Sequence, residues 1–243
     1  MFATPISTSR SRPITISHAD TQITADAPVA SGGTKSFTVA IGAESIGRGV
    51  LLCVTAGYRG SPTGLTVKVG GATQTPLTTY QYDGDPDPWY HVFYLEGLTG
   101  TSVTVDVTPS GDTAQHIRAT AFTVVGGRIN IENEYTYNIN TGASPADSRF
   151  QASLTKSGYL IGMYTSVANR GPSNEHYVGA MSLDYFEDGV TNHTIEADGT
   201  GDYSVAGALL LSGVTEIGSR SWDVGSYNYA DRVVSFVMAA VAA

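Results

Sequence analysis

One cysteine, Cys53, stands in a chain of 243 residues. A lone thiol excludes a disulfide framework and a thiolate metal site, since both need several cysteines at set spacings. Charged residues make up 14% of the sequence, well below the usual quarter. So few argue against coiled coils, long surface helices and charge-driven disorder. The basic sign is the scarcer one: 13 Lys+Arg against 22 Asp+Glu leave a formal net charge of -9. An acidic surface repels phosphates, so nucleic acid is not an expected partner. No stretch approaches the roughly eighteen unbroken apolar residues of a membrane-spanning helix, and no membrane insertion is expected. The opening MFATPISTSRSRPITIS has no apolar run, and its two Arg lie where one would have to be, so no signal peptide is expected. Release by lysis or attachment to a particle is then the expected route out of the cell.

What the chain does hold is Thr, Val, Gly, Ser, Ala and Tyr, with Thr outnumbering Lys roughly tenfold. Such a composition favours strands, and the residues that fill helix surfaces are sparse. Period-2 alternation recurs. Leu65-Thr66-Val67-Lys68-Val69 and Val103-Thr104-Val105-Asp106-Val107 each put the apolar set on one face. Val50 to Val54, Tyr159 to Tyr164, Val205 to Leu211 and Val233 to Val241 are apolar on both faces and read as buried strands. Turn signals such as Gly70-Gly71, Asp83-Gly84, Pro109-Ser110-Gly111-Asp112 and Gly126-Gly127 divide the chain into about twelve to fourteen short strands. The expected fold is all-β: a single large antiparallel β-sandwich, jelly-roll-like, with an N-terminal extended arm. The Ser/Thr/Pro-rich residues 1–34 form that arm, with one short β-like run at Ile14-Thr15-Ile16, and residues 35–243 form the sandwich. A weak internal echo links Gly49-Val-Leu-Leu-Cys-Val-Thr to Gly158-Tyr-Leu-Ile-Gly-Met-Tyr, and Ala119–Val125 to Val233–Ala239. It fits two immunoglobulin-size domains or two related halves of one sandwich. The absence of a linker-like stretch favours the latter.

Nucleophile motifs are missing: there is no Gly-x-Ser-x-Gly, and Cys53 lies inside an apolar run as core filling. His18, His91, His116, His176 and His193 show no metal-ligand spacing and read as surface or strand histidines. No catalytic residues are assigned and no enzyme is expected. The most distinctive segment is Asp83-Gly-Asp85-Pro-Asp87-Pro-Trp89-Tyr90. Asp83, Asp85 and Asp87 could supply oxygen ligands to calcium, but the segment lacks the Gly and Glu positions of an EF-hand loop and its prolines restrict convergence. A stiff, solvated acidic turn between strands is the preferred reading, and no cofactor is required. Asn192-His-Thr194 fits a glycosylation pattern and is read as chance.

Aromatic residues gather in polar, turn-like contexts, led by 14 Tyr. Tyr80, Tyr82, Trp89 and Tyr90 surround the Asp segment, Tyr135 and Tyr137 form a second group, and Trp222, Tyr227 and Tyr229 a third. Rings with a polar tip suit wet contact surfaces, and sugar rings stack on them while neighbouring carboxylates accept hydroxyl hydrogen bonds. The candidate carbohydrate-binding residues are therefore Tyr80, Tyr82, Asp83, Asp85, Asp87, Trp89 and Tyr90. The competing reading is that these rings merely cap the open ends of a sandwich.

The order Gly49-Val-Leu-Leu-Cys-Val-Thr-Ala, Thr66-Val-Lys-Val-Gly-Gly-Ala and Thr75-Pro-Leu carries a likeness, continued by Trp89 to Leu95, Thr99-Gly-Thr101 to Val107, Ala119 to Val125 and Val233 to Ala243. It resembles a β-sandwich module of phage and phage-like particle surface proteins, including gene transfer agents with their head spikes and fibres. The likeness spans roughly residues 36–243 and is one of strand grammar, so no functional residues come with it. It implies a jelly-roll-like sandwich on the surface of a virion or phage-like particle. The expected role is a non-enzymatic head spike or fibre that binds host cell-surface polysaccharide. Residues 1–34 would engage a capsid or spike-base protein, and a homo-oligomer, possible as a trimer, would follow. The alternatives are a capsid decoration or cement protein without glycan binding, and a glycan-active hydrolase, which needs two carboxylates about 5–10 Å apart across a cleft.

Overall fold

A computed structural model describes residues 14–24, 28–58, 61–81, 89–140, 147–153, 158–168, 203–211, 216–223 and 230–242. Side chains are described for residues 14–22, 24, 28–58, 61–81, 89–114 and 117–131. The described residues are all β, without a helix. The strands of the first part are β1 (Thr15–Ile23), β2 (Lys35–Ala40), β3 (Gly49–Tyr58), β4 (Gly64–Val69), β5 (Ala72–Thr73), β6 (Thr78–Gln81), β7 (Trp89–Glu96), β8 (Ser102–Ser110) and β9 (Ala114–Val125). Those of the second are β10 (Ile129–Asn140), β11 (Asp147–Ser153), β12 (Gly158–Ala168), β13 (Tyr203–Leu211), β14 (Glu216–Asp223) and β15 (Ala230–Ala242).

Two antiparallel sheets build the first sandwich. One has the order β1-β9-β3-β7-β6, the other β2-β8-β4-β5. Alternation decides how they face. Leu65, Val67 and Val69 of β4 are buried while Thr66 and Lys68 are exposed, and Val105 and Val107 of β8 turn inward beside them. They meet Val50, Leu52, Val54 and Ala56 of β3, with Phe93 and Leu95 of β7, in one core cluster. β3 is buried along its whole length because it is central in its sheet and covered on both faces. Its other face contributes Leu51 and Cys53 to a second cluster with Tyr90, Val92, Phe122 and Val124. β4 and β5 are joined by Gly70 and Gly71, with φ of 58° and 82°, as a two-residue hairpin turn requires. β8 runs through Pro109 and Ser110, two residues into the expected turn, because Leu65 and Gly64 pair with them.

The Ser/Thr/Pro-rich N-terminal segment contributes a strand, Thr15–Ile23, longer than the expected run Ile14-Thr15-Ile16. β1 pairs with β9 along its length, and Ile14 and Ile16 are buried in the second core cluster. A register shift between His18 and Asp20 turns the strand, and Asp20 exploits it. Its carboxylate accepts from the Thr21 amide at 2.8 Å and from the Ala40 amide at 2.8 Å, tying β1 to the end of β2 in the facing sheet. Residues 14–23 are thus an integral edge of the sandwich, and residues 1–13 lie outside the described residues.

The strand order repeats. Sheet β10-β15-β12-β13 reproduces β1-β9-β3-β7, and the pair β11-β14 reproduces β2-β8. The edge strand of each carries a register shift near its start, between His18 and Asp20 in β1 and between Ile131 and Asn133 in β10. The sequence echo falls on these equivalents, β3 with β12 and β9 with β15. Only residues 126–128 connect the two parts, with Gly126 at φ 102°, and β13 lies over β1, β3 and β9.

Candidate functional site

The aromatic and acidic candidates centre on the β6–β7 connection. β6 is the edge strand, and its pairing with β7 sets Tyr80 opposite Tyr90 and Gln81 opposite Trp89. Opposed residues on antiparallel strands share a face. The Tyr80 and Tyr90 rings stack, with centroids 6.0 Å apart and planes 16° from parallel. Burial separates the two. Tyr80 is half-buried, whereas Tyr90 is 0% exposed within the second core cluster. Tyr90 therefore corrects the expectation made for it: its ring backs Tyr80 from inside and presents no face to a ligand. β7 lies between β3 and β6 in its sheet, and its middle residues Tyr90, His91, Val92 and Phe93 are buried on both faces.

Trp89 is half-buried against the core between the sheets, and its indole Nε1 is buried without a hydrogen-bond partner. Its ring lies 5.8 Å from that of His91, 27° from parallel. Tyr82, Asp83, Asp85 and Asp87 lie outside the described residues, and with them the possible calcium ligands. Among the described residues, no group of three or more His, Cys, Asp or Glu could hold a metal ion. Of the other aromatic groups, Tyr135 and Tyr137 fall on β10 and Trp222 on β14, while Tyr227 and Tyr229 lie outside the described residues.

Cys53 is core filling, as expected: it is buried and free, and burial pushes its thiol up to about 12. His18 is half-buried, bonded to the Thr21 Oγ1 at 3.0 Å and edge-on to Phe122. His91 is a strand histidine, on β7. It is 6% exposed, and burial lowers its pKa to about 4. Tyr94 is shifted up by burial and then by the Glu96 charge, against an opposing contribution from Arg128. Its hydroxyl donates to the Gly127 carbonyl at 3.2 Å.

Two buried arginines escaped the sequence reading. Arg118, 1% exposed, sits on β9 opposite Thr55 and beside Thr120. Arg48, 6% exposed, spends its guanidinium on three loop carbonyls. The signal for Arg118 was present as a charge inside the apolar run around Ala119 to Val125. Nothing local marks Arg48, two of whose three partners are about fifty residues away.

Among the described residues, no helix is long and apolar enough to cross a membrane. No family model matches the chain, and no curated protein matches it in sequence. Solved structures with a β-rich likeness include the "PBSX exported protein XepA", at 9% identity and a TM-score of 0.22, covering 91% of this chain and 86% of that one. A second is the "PBCV-1 virus capsid, quasi-atomic model", at 9% identity and a TM-score of 0.21, covering 93% of this chain and 84% of that one. At such scores the likeness carries no argument about function. The described residues form an all-β sandwich whose edge strand β6 carries the half-buried Tyr80.

Proposed function

We propose that the protein is a non-enzymatic surface component of a virion or phage-like particle, of the head-spike or fibre type, that binds host cell-surface polysaccharide. The strand grammar supports the particle setting. The observation that carries the binding surface is Tyr80: a half-buried ring on an edge strand, held flat by the buried Tyr90 beneath it. A backed aromatic loses little freedom on contact, which suits it to stacking on a sugar ring. The acidic run Asp83, Asp85 and Asp87 follows directly in sequence, with Tyr82, and its carboxylates can accept sugar hydroxyls. Gene transfer agents are one home for such a protein; since Thr15–Ile23 is built into the sandwich, contact with a capsid or spike-base protein falls to residues 1–13 of the segment.

The test is saturable binding of the purified chain to host polysaccharide, on an array or by cell adsorption, with and without calcium. Tyr80→Ala is the informative variant because it leaves the core ring in place; binding should fall by about tenfold, the scale of one stacked ring. Trp89→Ala is less clean, since Trp89 also packs against the core. Binding unchanged in Tyr80→Ala would reject the site. Association with empty capsids without any glycan binding would favour the decoration or cement reading, and release of reducing ends would favour the hydrolase.

A further inference from the structure

Apolar packing explains the face of β7 between the sheets, except at one residue. Trp89 and Phe93 on that face pack into the core between the two sheets. His91 stands between them, its ring 5.8 Å from Trp89 and 6.0 Å from Phe93. Its Nε2 is buried with no hydrogen-bond partner. Across the sheet it faces Val54 of β3 and Thr79 of β6. Among the described residues, no acidic or basic side chain bonds to it; the charged groups that reach the space between the sheets are Asp20 of β1, tied to the Ala40 amide at the opposite sheet edge, and Lys35 of β2, set over the Phe37 ring. β3 and β6 contain none, Lys68 of β4 is exposed on the outer face, and Glu96 at the far end of β7 is exposed. Arg118 of β9 pairs with Thr55, one position on from Val54, and so lies on the opposite face. Of the titratable groups, Cys53 and Tyr90 belong to that opposite face too, while Tyr58 shares the His91 core as a phenol at the end of β3.

We propose that His91 is an acid-sensitive latch: neutral, it keeps the β6–β7 edge closed, and protonated, it opens that edge. An imidazolium between the sheets would be withdrawn from water with, among the described residues, no counter-charge bonded to it. Burial lowers the His91 pKa from 6.5 to about 4, so the opened chain takes the proton before the closed one. The closed form is therefore fully favoured well above pH 6.5 and loses ground as the pH falls, by about 100-fold in the opening equilibrium between pH 7 and pH 4 and by about 300-fold in the limit below pH 4. β6 is the element placed to respond, a strand of 4 residues at the sheet edge, bonded to β7 alone within its sheet.

The experiment follows the urea midpoint of the full chain from pH 7 to pH 4 for the parent, His91→Phe and His91→Gln. The parent should lose stability over that range more steeply than either variant, the gap reaching about 100-fold in the folding constant. Two variants keep the test readable should one fail to fold. Parallel pH profiles for parent and variants overturn the proposal. The imidazole resonance that disappears in His91→Gln should titrate below pH 5, and a midpoint between 6 and 7 also overturns it. Hydrogen exchange should rise first at β6 and β7 amides as the pH is lowered. A uniform rise that includes the β4–β8 pairs rejects the latch at that edge.

Discussion

Replacing Arg48 tests whether the loop end of the sandwich depends on one buried cation. Arg48 immediately precedes β3 and is 6% exposed. Nη1 donates to the Gly42 carbonyl at 2.9 Å and to the Gly100 carbonyl at 2.8 Å, and Nη2 to the Leu98 carbonyl at 2.7 Å. These acceptors lie in the β2–β3 and β7–β8 connections, so a single fork fastens both loops. A hydrogen bond from a charged donor contributes about 1.5–3 kcal/mol, and the three do not add in full because loop carbonyls regain water once freed. Arg48→Ala should therefore cost about 3–5 kcal/mol, or a Tm drop of roughly 6–20 °C for a chain of this size. Arg48→Lys keeps the charge but not the planar fork, and should cost about 1–3 kcal/mol. Urea midpoints at pH 7 measure both. Lys35→Ala is the control: that ammonium lies 5.7 Å over the Phe37 ring, and its loss should cost at most about 1 kcal/mol. An Arg48→Ala protein within about 1 kcal/mol of the parent refutes the reasoning, as does a lysine that substitutes without loss.

Cys53 should resist thiol reagents at pH 8 in the folded chain and react at once in urea, since burial holds its pKa near 12 against 9.0 for a free thiol. A raised folded value means the thiol's contribution is intact below pH 9 and is lost as the pH rises toward 12; rapid native labelling would show that the core opens. Gly49→Ala should destabilise by about 1–3 kcal/mol, because an added Cβ would stand 2.6 Å from the Tyr94 ring and push that hydroxyl off the Gly127 carbonyl. Combining it with Tyr94→Ala should recover part of the loss in a double-mutant cycle, and strict additivity would mean that the two positions do not clash.

Alternation made β4 and β8 legible, since a sandwich strand with one wet face must place its apolar residues at every second position. The all-apolar run at Val50 to Val54 likewise announced a central strand, and its lone cysteine announced core. The candidate site was less legible. Tyr80, Trp89 and Tyr90 look alike in sequence, as aromatics flanking an acidic turn, yet one is half-buried at an edge, one packs between sheets and one is sealed in the core. A period of two says which residues share a face; it does not say which face is covered.

Composition by itself determined the all-β class, because a chain rich in Thr and Val and poor in helix-surface residues has little else to form. It also determined the exclusion of disulfides, which need a second cysteine. Tertiary structure alone decided the fates of Tyr90, His91 and Arg48. β7 is buried on both faces only because its residues divide between two core clusters, one on each side of its sheet, and Arg48 finds its acceptors only when loops about fifty residues apart meet. Burial depends on which strands become neighbours, and that is a property of the assembled sheets.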